Sequence, residues 1–218
     1  MRIAIAGLGK VGTSIAGELA GNGHTILAID KDPTALEGLP SNIEVIIGDA
    51  CELTILESAT VQSCEVMIAA TGDDKANLVV SLLAKTEFGV SRVVARVNHP
   101  NNEWMFNESW GVDTSVSTPR ILSALVEEAV TVGDVVQLFS LRTGNANLVE
   151  LTLPSHSPVA QARVGTITWP VDCVLVTIVR GQRVISPSTD DTLEVGDELL
   201  FVCSPDSEAG LQQVLAPH

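Results

Sequence analysis

A short apolar run, a glycine-rich turn and a helical pattern occupy the first 23 residues of the chain. Ile3–Ala6 is typical of a strand buried on both faces, and Gly7, Gly9 and Gly12 follow it in the G-x-G-x-x-G spacing. In that pattern the first glycine allows a tight turn, the second lets backbone approach a pyrophosphate, and the third lets the helix pack closely on the strand. The positive end of the helix then faces the phosphates. The stretch predicts a dinucleotide-binding fold.

A carboxylate at the end of the next predicted strand supports this prediction. His24–Asp30 is typical of a second buried strand, and Asp30 lies 18 residues past the third glycine. An acid at about this distance, roughly 20 residues, accepts hydrogen bonds from ribose hydroxyls and repels a 2′-phosphate. Asp30 therefore favours NAD(H) or an adenine nucleotide over NADP, a preference that the neighbouring Lys31 weakens slightly. The alternative is that Asp30 only caps the loop that contains Asp32.

Strands and helices alternate through the rest of the first half. Further strands are predicted at Ile43–Ile47, Val66–Ala70, Arg92–Val97 and Val112–Val116, and helices at Glu52–Thr60, Lys75–Phe88 and Pro100–Trp110. Such alternation implies right-handed parallel crossovers, so the predicted fold is a Rossmann-like, doubly wound α/β sheet over residues 1–117.

Three charged residues near strand ends are candidates for chemistry. Asp73 and Asp74 could be paired carboxylates for acid–base or metal chemistry, but a capping role for one of them is favoured at the start of a helix. No histidine or further ligand lies near them in sequence. Arg96 ends its strand at the edge where parallel sheets bind ligands. It contacts either a phosphate or a neighbouring surface charge.

The second half has a different pattern. Thr118 and Pro119 are a strong helix start, and the predicted helix over 118–133 carries the apolar stripe Ile121, Leu122, Leu125, Val126 and Ala129. This stripe packs inside its own domain or in a dimer. Residues 134–218 are predicted to form a small α+β module with the strands Val136–Leu141, Leu148–Leu153, Val174–Val179 and Leu199–Val202, a turn at 143–145, and helices at Pro158–Arg163 and Ser207–Leu215.

Composition excludes several classes of function. The net charge of −15 repels a nucleic-acid backbone or an anionic membrane surface, and aromatic residues make up only 3% of the chain. No run approaches the roughly 18 apolar residues of a membrane span, and no signal peptide is evident, so a soluble intracellular protein is expected. The four cysteines form no C-x-x-C pair, which indicates neither a zinc site nor a disulfide framework.

The second half contains no candidate acid–base group for catalysis. It contains no lysine, and His156 stands between two serines in a predicted loop. A nicotinamide-dependent dehydrogenase normally needs a positioned acid–base group opposite its cofactor. We therefore predict no catalytic residues and no metal ligands, and interpret the chain as a nucleotide sensor. An NAD-dependent oxidoreductase with a degenerate substrate domain is the alternative from another class.

Motifs along nearly the whole chain carry a resemblance to a known family. They are the glycine turn with Asp30, Gly48–Ala50, Ala70–Asp74 with Asn77, Ala95–Asn98, Ile178–Gly181, Val184–Pro187 and Val195–Leu199. The chain resembles the TrkA/KTN, or RCK, family of cytoplasmic subunits that regulate bacterial Trk- and Ktr-type potassium uptake systems. The resemblance implies an RCK N-terminal domain at 1–117 and an RCK C-terminal domain at 134–218. It also implies that NAD(H) or ATP/ADP binds the first domain.

The resemblance assigns roles to individual positions. The phosphate turn would consist of Gly7, Leu8, Gly9, Lys10, Val11 and Gly12. Asp30 with Lys31 would lie at the ribose, and Asp49 and Ala50 would lie beside the adenine. Thr71 and Gly72 would lie beside the ribose-phosphate region, and Arg96 would lie near phosphate. It implies a cytoplasmic, peripheral subunit on the inner face of a potassium-translocating membrane protein. Since the chain holds one such unit, it would complete a ring with further copies or with a second, non-identical subunit. Regulation of a cation–proton antiporter is the alternative within the same architecture.

Overall fold

Parallel strands and helices alternate through the first of two units, Met1–Pro119, into which the chain divides. The computed structural model describes residues 1–36, 39–40, 42–130, 133–141 and 145–216. The first unit contains β1 (Arg2–Ala6), α1 (Lys10–Gly21), β2 (Thr25–Asp30), β3 (Glu44–Ile47), α2 (Leu53–Ser58), β4 (Val66–Ala69), α3 (Asp74–Thr86), β5 (Arg92–Val97) and β6 (Thr114–Ser117).

The six strands form one parallel sheet in the order β3-β2-β1-β4-β5-β6. The order reverses between β1 and β4, which is the switch point where open α/β sheets leave a crevice at the carboxyl ends of their strands. The predicted doubly wound sheet is confirmed.

The first strand is buried on both faces, as its sequence predicts. Ala4 and Ala6 pack into one apolar cluster with side chains of α2 and α3, while Ile3 and Ile5 pack into another with Ala16 of α1. The alternation follows from the two-residue period of a strand. Because helices cover both faces, the sheet leaves its carboxyl edge as the place where loops from several strands converge.

The prediction of one helix over Pro100–Trp110 is wrong. Two short 3-10 turns, Pro100–Met105 and Glu108–Trp110, occupy this segment. Phe106 separates them, since its side chain is buried and its backbone leaves the helical region at φ −82° and ψ 77°. Asn107 then starts the second turn by accepting a 2.9 Å hydrogen bond from the Ser109 N–H.

The second unit, Arg120–His218, is built on an antiparallel sheet. After α4 (Thr118–Val130), which crosses the boundary of the units, come β7 (Val136–Leu141), β8 (Ala146–Thr152), β9 (Cys173–Arg180), β10 (Arg183–Ile185), β11 (Glu198–Cys203) and α5 (Glu208–Leu215). The strand order is β10-β9-β11-β8-β7, and a core of its own includes the fully buried Phe201 and Leu211. The predicted α+β module is confirmed.

Details of the second unit differ from the sequence prediction. Pro158–Arg163 forms turns rather than a helix, because Gln161 adopts a left-handed conformation at φ 68° that interrupts any helical run. Residues 131–132 of the predicted 118–133 helix, and Thr143 and Gly144 of the predicted turn, lie outside the described residues. Within the described ranges, no helix combines the length and the apolar character needed to cross a membrane.

Candidate functional site

A cavity of about 540 Å³ opens at the carboxyl edge of the parallel sheet, where β1, β2, β3 and β4 end. Eight of the predicted site residues line it: Gly7, Gly9, Asp30, Lys31, Asp49, Ala50, Thr71 and Gly72. Five predicted residues are not part of this lining: Leu8, Lys10, Val11, Gly12 and Arg96. The structure therefore brings together four loops that are far apart in sequence, at the place that the fold favours for a ligand.

The three glycines of the first turn have different structural roles. Gly7 has a positive φ of 95°, and a Cβ there would lie 2.6 Å from the Thr71 backbone nitrogen. A Cβ on Gly12 would lie 1.8 Å from the carbonyl oxygen of Gly7. By contrast, a Cβ on Gly9 would have no atom within 4 Å among the described residues, and Gly9 lines the cavity. Gly7 and Gly12 are needed for the close backbone contacts of the turn. At Gly9, the missing side chain leaves space in the cavity.

Asp30 connects the end of β2 to the glycine turn. Its Oδ2 accepts a 2.5 Å hydrogen bond from the Leu8 N–H, and its Oδ1 accepts a 2.9 Å bond from the Asp32 N–H. The loop contact that the sequence offered as an alternative is thus present. It does not use up the carboxylate, whose two oxygens have about four acceptor sites. Asp30 can hold the turn and still accept a hydroxyl from the cavity.

The first turn of α1 supplies backbone donors beside the cavity. The helix starts after Gly9, and no described side chain caps it. Its first helical bond runs from the Thr13 N–H to the Gly9 carbonyl at 2.9 Å, which leaves the N–H groups of Lys10, Val11 and Gly12 outside the helical ladder. These three N–H groups are therefore available as donors beside the cavity, an arrangement that suits an anion.

The loop after β3 forms another part of the wall. Asp49 Oδ1 accepts a 2.9 Å hydrogen bond from the Cys51 N–H, which holds a tight turn, and the Ala50 side chain is buried. Burial, followed by the charge of Asp49, raises the pKa of the Cys51 thiol to about 11. Cys51 is therefore a neutral group at pH 7. Its place in the cavity is not predictable from the sequence, because Cys51 belongs to no recognised motif.

A network of amides joins the ends of β4 and β5 behind the cavity. The Thr71 N–H donates to Asn77 Oδ1 at 2.9 Å, and Asn77 Nδ2 donates to the carbonyl of Arg96 at 2.8 Å. Asn98 Nδ2 donates to the Thr71 carbonyl at 3.0 Å. Asn77 is fully buried, so its hydrogen bonds are shielded from water and fix the position of Thr71. The sequence motifs contained both asparagines without indicating this role.

The adjacent acids Asp73 and Asp74 have separate structural roles. Asp73 caps α3 by accepting bonds from the N–H groups of residues 75 and 76 at 2.8 and 3.4 Å, which confirms the predicted cap. Asp74 is buried and accepts bonds from the N–H groups of Asn98 and His99 and from Asn102 Nδ2. Burial raises the pKa of Asp74, but the hydrogen bonds from Asn102, Asn98 and His99 together have the larger, opposite effect. The pKa of Asp74 is therefore below its usual value. In the described part of the chain, no His, Cys, Asp and Glu side chains cluster as a metal site would require.

Arg96 lies on β5 and not in the cavity lining. Its carbonyl belongs to the amide network, and its side-chain Nε is buried without a hydrogen-bond partner among the described residues. A buried guanidinium nitrogen without a hydrogen-bond partner is costly. Contact of the Arg96 side chain with either a phosphate or a neighbouring charge stays a prediction.

Comparison with protein families identifies both units. Residues 3–118 match the TrkA-N domain, and residues 148–216 match the TrkA-C domain. The first match alone covers more than half of the chain. The chain belongs to the TrkA family. A Mycobacterium tuberculosis protein named Trk system potassium uptake protein TrkA is 54% identical over 218 residues, which span 100% of this chain and 99% of that protein.

Solved structures share the fold of this TrkA-family chain. The GsuK channel bound to NAD aligns with a TM-score of 0.70 and 18% identity, over 99% of this chain and 39% of the channel chain. GsuK bound to ADP aligns with a TM-score of 0.51 and 26% identity, over 59% of this chain and 34% of that chain. The chain thus spans well under half of these channel chains.

Proposed function

We propose that this chain binds NAD(H), ATP or ADP in the cavity and thereby regulates a separate potassium-translocating membrane protein of the Trk or Ktr type. The observation that carries the proposal is the cavity itself, in which the open wall at Gly9 and the carboxylate of Asp30 face one space at the switch point of the sheet. The potassium-uptake name of the Mycobacterium tuberculosis relative supports the partner, and the NAD and ADP of the GsuK structures support the ligand.

In this proposal the backbone of the glycine turn and the first turn of α1 hold the phosphates. Lys10, Val11 and Gly12 contribute N–H groups, and Leu8 contributes through its bond to Asp30. Asp30 accepts a ribose hydroxyl, with Lys31 beside it, while Asp49 and Ala50 lie beside the adenine. Thr71 and Gly72 border the ribose-phosphate region, and Arg96 adds positive charge near the phosphates.

The proposed role is regulation and not catalysis. A ligand shifts a conformational equilibrium only by as much as it binds one state better than the other. The regulatory proposal therefore requires NAD(H), ATP or ADP to favour one arrangement of an oligomeric ring. Catalysis would instead appear as oxidation of NADH with a carbonyl substrate. Steady NADH turnover by the purified protein, followed at its absorbance band, would support the oxidoreductase instead.

Replacing Asp30 with alanine is expected to weaken nucleotide binding by about 1 to 3 kcal/mol, the value of a hydrogen bond to a charged group. Titration calorimetry with NADH, NAD, ATP and ADP measures the change and ranks the four ligands. Glu18→Ala, which removes an exposed carboxylate from α1 outside the cavity, is the matched control and should bind as the unmodified chain does. Equal affinities for Asp30→Ala and Glu18→Ala would remove Asp30 from the site.

We also propose that α4 contributes to assembly into a homo-oligomer or a ring with a second, non-identical subunit. Ile121, Leu122, Leu125 and Val126 of the predicted stripe are exposed, with fractions of 38, 58, 53 and 60%. The side chain of Ala129 lies outside those that the structure describes. A row of exposed apolar side chains on one helix is typical of an interaction face. Through its membrane partner, the assembly would lie at the cytoplasmic face of the cell membrane.

Leu125→Glu is expected to shift the oligomer toward monomers, because it places a charge in the centre of this apolar face. Sedimentation velocity at several protein concentrations measures the shift. Ser123→Glu adds the same charge at an exposed position of the same helix, off the apolar row, and should leave the oligomer intact. An unchanged oligomer for Leu125→Glu would place the interface elsewhere.

A further inference from the structure

Two cysteines face each other across neighbouring strands of the TrkA-C module. Cys173 of β9 pairs with Cys203 of β11 in the antiparallel register. In the next pair along, the Ser204 N–H donates to the Asp172 carbonyl at 3.0 Å. Hydrogen-bonded and non-hydrogen-bonded pairs alternate along such a ladder, so the cysteines form a non-hydrogen-bonded pair. In this type of pair the two side chains share one face and approach each other most closely.

Both thiols point into the same core. Cys173 is 9% exposed and Cys203 is 1% exposed, and both belong to the apolar cluster beneath the antiparallel sheet. Burial, followed by the adjacent Cys203 thiol, raises the pKa of Cys173 to about 12. Burial also raises the pKa of Cys203, followed by the charge of Glu208, while a hydrogen bond with Cys173 lowers it. The strand register makes these two side chains neighbours on one face of the sheet, and both are free thiols in this structure.

The backbone geometry of this pair fits a disulfide. A disulfide needs Cα atoms roughly 4.4 to 6.8 Å apart and Cβ vectors that converge. A non-hydrogen-bonded pair, with Cα atoms about 4.5 Å apart and side chains on one face, meets both needs. We propose that Cys173 and Cys203 are an oxidisable dithiol, which a peroxide converts into a cross-strand disulfide within the TrkA-C module.

The other two cysteines lack this arrangement. Cys51 and Cys64 both lie outside the strands, so neither has a cross-strand partner. The Cys51 thiol instead donates to the Ala76 carbonyl at 3.8 Å, and Cys64 is buried in the core of the first unit. The proposed oxidation is therefore specific to one pair of the four thiols.

The oxidation balances with one peroxide molecule. The thiolate of Cys173, the more exposed of the two, attacks a peroxide oxygen; the O–O bond breaks, and the released hydroxide takes a proton to become water. Cys173 is then a sulfenic acid. The Cys203 sulfur attacks the Cys173 sulfur, the S–S bond forms, the S–O bond breaks, and hydroxide leaves with the Cys203 proton as a second water. The two thiols lose two electrons and two protons, and hydrogen peroxide is reduced to two waters.

The raised pKa of both thiols determines when the reaction proceeds. Only the thiolate attacks peroxide, so the pair reacts slowly at neutral pH and faster as the pH rises. A reducing cytoplasm keeps both cysteines as thiols, and sustained exposure to an oxidant forms the disulfide. The bond would close a loop of 30 residues that includes the β9–β10 hairpin, because Cys173 and Cys203 lie that far apart in sequence. We expect it to raise the melting temperature of the module by roughly 10 °C or more.

Treating the full chain with hydrogen peroxide at pH 7 and pH 8.5 tests the proposal. After denaturation and alkylation with iodoacetamide, the count of free thiols should fall from four to two. Mass spectrometry of unreduced peptides should show the Cys173–Cys203 link, formed faster at pH 8.5 and removed by dithiothreitol. Four remaining thiols after complete oxidation of free cysteine in the same solution would overturn the proposal, as would a link between other positions or between chains.

Two variants separate this pair from general oxidation. Cys203→Ala removes the resolving thiol, so Cys173 should accumulate as a sulfenic acid that dimedone traps, and no intramolecular link should form. Cys64→Ala removes a cysteine that is equally buried but lies in the first unit, and its thiol count should fall from three to one. A cross-link that persists in Cys203→Ala would assign the oxidation to another pair. Circular dichroism after reduction checks that both variants fold.

Discussion

Gly12→Ala is expected to lower the stability of the first unit more than any other single-methyl addition to the glycine turn. The added Cβ would lie 1.8 Å from the Gly7 carbonyl oxygen and 2.9 Å from the Gly7 carbonyl carbon, both of them backbone atoms. Neither atom can move without separating β1 from α1, so the packing of helix on strand must change. Overpacking of this kind costs about 3 kcal/mol or more.

Thermal unfolding followed by circular dichroism measures this loss, which corresponds to a fall in melting temperature of roughly 10 °C. Gly17→Ala is the matched control, because it adds the same methyl group to the same helix where no described atom lies within 4 Å. Alanine is the better helix former, so this variant should be more stable by about 0.5 to 1 kcal/mol. Equal melting temperatures for the two variants would show that the contact of α1 with the turn is not rigid.

The parallel unit is predictable from sequence because each of its signals is local. The Ile3–Ala6 strand, the glycine turn and the i, i+4 apolar spacing of α1 lie next to one another in the chain, and each supports the same strand–turn–helix unit. The Pro100–Trp110 segment differs. Its composition permits a helix, but burial of Phe106 and the cap at Asn107 divide it, and both depend on the folded structure.

The candidate site is only partly predictable for the same reason. Asp30 is recognisable because only helix α1 and strand β2 separate it in sequence from the glycine turn. The amide network is not, since Asn77 and Asn98 meet Thr71 only when α3 and β5 are in place. The cysteine pair escapes sequence analysis entirely. Cys173 and Cys203 lie far apart in the chain, and only the strand register makes them neighbours.

Gly9→Val is expected to abolish nucleotide binding while the chain still folds. The backbone of Gly9, with φ −63° and ψ −177°, is extended and suits valine, and a Cβ there meets no described atom within 4 Å. Because Gly9 lines the cavity beside the first turn of α1, the isopropyl group would occupy the space through which phosphate reaches the backbone N–H groups. We expect at least ~100-fold weaker binding, or about 2.7 kcal/mol.

This variant tests the phosphate turn separately from stability, which Gly12→Ala cannot do. Titration calorimetry with NADH and ADP measures the affinity, and circular dichroism shows whether the melting temperature falls by more than roughly 4 °C, the shift that corresponds to about 1 kcal/mol. Gly17→Val introduces the same side chain on α1 outside the cavity and should bind normally. If Gly9→Val folds and binds within a few-fold of the unmodified chain, phosphates do not approach this turn. Asp30 would then hold only the loop of Leu8 and Asp32, and the ligand would have to reach the cavity from the β3 side.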